Sequence, residues 1–133
     1  MITIHNLTNF VVSEVFLKRV AKVVLKGENV MKKELSVVLV KPEEIKKVNN
    51  IYRKKNKPTD VLSFEGAENN LGEVLICPSV VKGNSEKNKL NFQEEISFVL
   101  IHGILHLLGY DHEGSKAQEK KMEQKQEYYL TRI

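Results

Sequence analysis

His102-Gly103-Ile104-Leu105-His106-Leu107-Leu108-Gly109-Tyr110-Asp111-His112 holds three of the chain's four histidines, and the rest of the chain is read outward from it. Residues four apart lie one above the other on a helix, so the imidazoles of His102 and His106 can converge on one point. A straight helix would carry His112 round to another side. Gly109 supplies the break, because glycine just past a helix end takes the left-handed conformation cheaply and turns the chain. The turn can swing Tyr110-Asp111-His112 back toward the first two histidines. Ile96, Val99, Leu100, Ile104, Leu105, Leu107 and Leu108 make this helix apolar nearly all round, which marks it as buried at the centre of the fold. Imidazoles in such a helix are costly without partners. Three neutral imidazoles suit a catalytic Zn²⁺ site that keeps its fourth position for water or substrate. One divalent metal is therefore expected on His102, His106 and His112; imidazole also accepts Ni, Cu and Fe, so zinc is the first choice among transition metals. The ligands must be neutral, so acid should release the metal.

The flanking sequence supplies the scaffold. Ile2-Thr3-Ile4-His5-Asn6 alternates like a short strand. Ser13 caps a predicted helix to about Lys26, with Phe16, Val20, Val23 and Val24 on one face and Gly27 as its stop. Leu35 to Val40 is a β-rich run, read as a buried strand. Pro42-Glu43-Glu44 reads as a first helical turn, with Ile45, Val48 and Tyr52 spacing the apolar face up to Arg53. Two strands follow, Val61 to Phe64 and Gly72 to Cys77, joined by a polar link from Gly66 to Asn70. Gly83 to Asn88 reads as a loop or a frayed helix end. Asn91 and Glu94 form a capping box for the histidine helix, and Ser115 and Gln118 form another for a last helix to about Leu130. That helix shows Met122, Tyr129 and Leu130 as its core anchors, and its charges read as a solvated face. The order β-α-β-α-β-β-α-α predicts a single α+β (α/β-like) domain over residues 1–133. It has a small mixed four-stranded sheet packed with helices and a central metal-binding helix.

The composition is that of an ordinary soluble protein, and 133 residues are enough for one real core. No apolar run approaches a membrane span, and the N-terminus shows no signal-peptide pattern. A single cysteine, Cys77, cannot form an internal disulfide and reads as a small core residue in a strand. These features together point to the cytoplasm. The net charge of +4 is a weak pointer to nucleic acid, but Arg53-Lys54-Lys55-Asn56-Lys57 packs four cations into five residues just before Pro58. That cluster is expected to face phosphate.

A metal-bound water with a pKa near 7 serves two hydrolytic classes. The spacing of the histidines, with glycine three after the second, matches the long zinc signature of metzincin proteases. Those place Glu directly after the first histidine as general base, and Gly103 stands there. Phosphodiester cleavage needs a cation for the phosphate, and Arg53 with the lysines after it offers one.

Separated blocks of the chain resemble the YbeY endoribonucleases, also called rRNA maturation factors. Tyr52-Arg53 with Pro58-Thr59-Asp60-Val61-Leu62-Ser63-Phe64 is similar to the family's first signature, Leu71-Gly72-Glu73-Val74-Leu75-Ile76-Cys77 to its second, and the histidine run to its third. The resemblance implies a metal-dependent, single-strand-specific endoribonuclease acting in rRNA maturation, including 3′-end processing of small-subunit rRNA, and in ribosome quality control. It implies zinc on His102, His106 and His112, a functional Arg53, and RNA and the ribosome or its subunit as partners, with no membrane or DNA role. Asp60, Glu73 and Asp111 are the candidates for acid and base by their nearness to the motifs. Glu73 stands where the family commonly has Asp. Asp111 reads equally as an acceptor for a ligand imidazole or as a turn residue bonded to its own backbone. Tyr110 reads as a packing anchor. The remaining alternatives are a metzincin-like zinc peptidase lacking its glutamate and a non-catalytic ribosome-binding protein with a structural metal.

Overall fold

Hydrophobic alternation and helix caps put nine elements along the described chain. They are β1 (Ile2–Asn6), α1 (Glu14–Gly27), β2 (Glu34–Leu39), α2 (Pro42–Arg53), β3 (Val61–Glu65), β4 (Asn70–Ile76), α3 (Pro78–Lys87), α4 (Phe92–Leu107) and α5 (Lys116–Leu130). The structure is a computed structural model and describes residues 1–111 and 113–133. The expected caps form. Ser13 accepts from the Phe16 N–H at 3.1 Å, and both capping boxes, Asn91 with Glu94 and Ser115 with Gln118, close in both directions.

The sheet runs β1-β2-β4-β3. β1, β2 and β4 are parallel, and β3 is antiparallel to β4 at one edge. This is the mixed four-stranded α+β sheet that the element order implied. The pleat divides its side chains between two cores. Ile4, Val37, Val74 and Ile76 face the large core with α1 and α4, where Leu17, Val24, Leu100, Ile101 and Ile104 are fully buried. Leu62 and Leu75 face a smaller core with Ile45 of α2. Helix α4 is central: it touches α1, α3, α5, β3 and β4.

Several readings are refined by the structure. Of the two readings of Gly83 to Asn88, the helix end holds: these residues are the second half and C-cap of α3, which starts at Pro78. Gly83 and Asn84 weaken its intrinsic propensity, and packing supports it: Val81 lies in the large core with α4, and Val80 packs against the smaller core. Cys77 is buried as expected, but it sits at the N-cap of α3 and not within the strand. Tyr52 is 68% exposed, so it does not belong to the buried face of α2; Asn49 is buried there instead. Gly27 is the last residue of α1 and not its left-handed stop; that conformation falls at Asn29, with φ 60°. A Cβ at Gly27 would overlap the Tyr129 ring, so the glycine makes room for α5 to dock.

Candidate active-site cleft

The C-terminal half of α4 packs against edge strand β3, and α2 ends beside the same strand. Between them lies a cleft of about 370 Å³, lined by Tyr52 and Arg53, residues 61–64, His102 and His106, and Asp111 and Glu113. Gly103 sets how closely helix and sheet approach. A Cβ there would stand 2.8 Å from Val74 Cγ1 and 3.2 Å from both Ser63 Oγ and Val61 Cγ2. The Ser63 hydroxyl also donates to the Gly103 carbonyl at 2.9 Å. The residue after the first histidine therefore faces the sheet, where no glutamate side chain fits.

His102 is half-buried and His106 exposed, one helical turn apart and both on the cleft. The side-chain amide of Gln126, from α5, meets Nδ1 of His102 at 2.6 Å. Helix α4 then ends as the glycine implied. Gly109 has φ +97°, and the Tyr110 N–H turns back to donate to the Leu105 carbonyl at 3.1 Å. The Tyr110 hydroxyl donates to Glu28 Oε1 at 2.7 Å, while Tyr129 Oη and Lys125 Nζ donate to Oε2. Burial alone would raise the Glu28 pKa, but these three donors outweigh it and hold the carboxyl below its usual range. Burial and the Glu28 carboxylate together push the Tyr110 hydroxyl up to about 12, and its hydrogen bond to Glu28 makes Tyr110 an anchor for the turn. The chain leaving the turn is thus tied to α5 and to the end of α1.

Asp111 faces the cleft, and its Oδ1 accepts the Glu113 N–H at 2.8 Å. That is the turn-residue role weighed from the sequence. His112, the third expected ligand, lies outside the described residues. Among the described residues no three metal-binding side chains come together. His102 and His106 supply two imidazoles on one cleft, a donor set that fits a zinc ion completed by further ligands.

The structure brings Arg53 to the histidines. Its guanidinium reaches toward Glu113, with Nη2 4.0 Å from Oε1. The lysines after it follow in a loop tied back to α2. Lys54 takes a left-handed conformation at φ 56°, and the buried Asn49 side chain donates to the Lys57 carbonyl at 2.9 Å. Asp60 sits just before β3, beside the cleft-lining Val61, and its carbonyl accepts the Cys77 N–H. Burial pushes its carboxyl above the usual range. Hydrogen bonds from the Val61 N–H and Thr59 act against this, and the nearby Glu95 adds to it. Glu73 is not brought to the cleft. It pairs with Phe64 in β4 and is exposed on the sheet face shared with Leu75 and Leu62, opposite the face that α4 covers. The pleat period of two separates it from the histidines, so its nearness in sequence to a motif does not translate into nearness in space.

Sequence reading missed Gln126, Ser63 and Glu113. Gln126 had a signal: with Met122 and Tyr129 it marks the buried face of α5 at helical spacing, and it is only 5% exposed. Ser63 alternates with apolar neighbours on β3 and could be placed only once α4 was known to cover it.

Fold and cleft together define a small α+β protein whose candidate catalytic groups, two histidines on a buried helix and an arginine, meet beside the edge of a mixed sheet. The family model described as endoribonuclease YbeY matches residues 3–133. The endoribonuclease YbeY of Bdellovibrio bacteriovorus is 44% identical over 102 residues, which are 76% of this chain and 67% of that protein. That of Thermotoga maritima is 40% identical over 114 residues, 81% of this chain and 76% of its own. A solution structure of a T. maritima protein superposes with a TM-score of 0.68 at 33% identity, covering 98% of this chain and 87% of that one. The chain belongs to the endoribonuclease YbeY family, and its activity class is RNA cleavage. No helix among the described residues is long and apolar enough to cross a membrane.

Proposed function

We propose that this chain is a zinc-dependent hydrolase that cuts single-stranded RNA in the cleft between α2, β3 and α4, acting on ribosomal RNA in its maturation and in ribosome quality control. The observation that carries this reading is the meeting of His102, His106 and Arg53 on one cleft. His102 and His106, with His112, would hold the metal. When bound, it would supply a water of near-neutral pKa and a Lewis acid for a phosphoryl oxygen. Arg53 holds the phosphate. Its planar fork offers two N–H donors, and the lysine loop beside it gives the backbone a track of positive charge. Tyr52 stands exposed at the same cleft, edge-on to Phe64 at 5.0 Å, and offers a ring on which an unpaired base can stack. Unpaired bases are available for stacking only in single strands, which supports the strand preference. Asp111 and Glu113 are the carboxyls that line the cleft, and Asp60, buried just before β3 with its pKa raised, stands next to the cleft-lining Val61; these three are the candidates for moving a proton.

Packing weighs against the peptidase alternative, because the position where metzincins carry their general base is Gly103, pressed against Val74 and Ser63. A purely structural metal is the remaining rival. Cleavage of one RNA sequence, offered single-stranded and as a duplex, before and after chelation and zinc addition, decides between them. The proposal expects cutting of the single strand alone, lost on chelation and restored by zinc. Undiminished cutting in the metal-free protein contradicts it.

A further inference from the structure

A histidine binds metal through one ring nitrogen, and which one is available depends on what the other is doing. In His102 the question turns on Nδ1, where the Gln126 amide sits at 2.6 Å. Gln126 is 5% exposed, and it comes from α5, 24 residues further along the chain. A buried amide at that distance is a built contact and not a surface accident.

The amide can approach the ring in two ways, related by a half-turn about its last bond that leaves its shape unchanged. With the amide nitrogen toward the ring, as the atoms stand, Nε2–H of Gln126 donates to Nδ1 and the ring proton must sit on Nε2 of His102. That form cannot ligate through Nε2. With the amide oxygen toward the ring, Nδ1–H donates to Oε1 and the Nε2 lone pair is left to coordinate.

We infer that Gln126 is a positioning residue for the metal centre: its amide oxygen accepts Nδ1–H of His102, fixing the ring's orientation and presenting Nε2 as the ligating atom. This rests on the reading of His102 as a ligand. It also gives α5 a function beyond filling the core. The helix that carries Gln126 also carries Tyr129 and Lys125, which bind Glu28 together with Tyr110. One helix therefore steadies both the first histidine and the turn that leads to the third.

The test compares wild type with Gln126→Met, which keeps the length but removes the amide, and Gln126→Glu, which can only accept from Nδ1–H. Proton–nitrogen correlation spectra of the metal-free proteins at mildly alkaline pH report which ring nitrogen of His102 is protonated. Competition with a chelator reports zinc affinity. The Nδ1–H form should dominate in wild type and in Gln126→Glu and give way to the Nε2–H form in Gln126→Met. Zinc affinity should fall about 10- to 100-fold in Gln126→Met and be kept in Gln126→Glu. Should Gln126→Met fail to fold, the wild-type and Gln126→Glu spectra still decide. The Nε2–H form in either, or unchanged tautomer and affinity in a folded Gln126→Met, overturns the inference. A wild type that shows the Nδ1–H form but binds no zinc would remove the metal and leave the Gln126 contact standing.

Discussion

The Arg53 guanidinium and the Glu113 carboxylate face each other across the mouth of the cleft, with Nη2 4.0 Å from Oε1. Both side chains are substantially exposed, and a pair in such a setting contributes about 0–1 kcal/mol. It does little for the fold, so an RNA phosphate can displace the carboxylate. Glu113→Gln should leave unfolding by urea within about 1 kcal/mol of wild type. It should also tighten RNA binding a few-fold in a fluorescence titration. Weaker binding with unchanged stability would show that Glu113 helps to hold RNA.

Arg53→Lys keeps the charge but loses the fork. If Arg53 stabilises the charge developing on the scissile phosphate, single-turnover cleavage should fall about a hundredfold or more, the effect of losing one oriented donor. The circular dichroism spectrum and metal content should be unchanged. Single replacements of Lys54, Lys55 or Lys57 should instead lower RNA affinity modestly and flatten its salt dependence. A near wild-type rate for Arg53→Lys would take Arg53 out of the chemistry.

Gly103 is required by packing. Gly103→Ala places a Cβ 2.8 Å from Val74 Cγ1 in the seam between α4 and the sheet. Overpacking of this kind costs about 1–3 kcal/mol, readable as a lower urea midpoint. Gly103→Glu should be worse and should gain no peptidase activity. A fully stable Gly103→Ala would show that the seam has slack.

Glu28 gives the turn after α4 a pH dependence. Its folded pKa lies below the ordinary 4.5. Its stabilisation is therefore complete above that value and is lost as pH falls through the folded pKa. Thermal unfolding of wild type should lose more stability as pH falls below 4.5 than that of Glu28→Gln, which lacks this titration. Parallel curves for the two proteins would mean that Glu28 is not differentially charged in the folded state.

Much of this was legible before the fold was known, for reasons that can be named. The histidine helix, its cap at Asn91 and its glycine stop at Gly109 are written in local chemistry, so they were readable. The sheet was readable as runs of β-branched and apolar residues. Helix α3 was legible only as a loop or a helix end at Gly83 to Asn88, because Gly83 and Asn84 blur its pattern, although Pro78 stands at its first turn. The placing of Glu73 was not readable. Motif adjacency puts it near the site, whereas the pleat sends it to the other face of the sheet. Gln126 hid among the charges of α5. Its spacing from Met122 and Tyr129 marks it as inward-facing, but nothing local says that a histidine waits there. Arg53 was read from its charge cluster, while its partner across the cleft belongs to a turn sixty residues later.

The central claim is that RNA is cut where His102, His106 and Arg53 meet. Its most direct test is single-turnover cleavage of a single-stranded RNA by His106→Ala. His106 is exposed at the end of α4, so its replacement should leave the fold intact. The variant should lose most of its bound metal and cut RNA at least about a hundredfold more slowly, on the order of losing a key transition-state contact. A folded His106→Ala protein that cuts at the wild-type rate would contradict it.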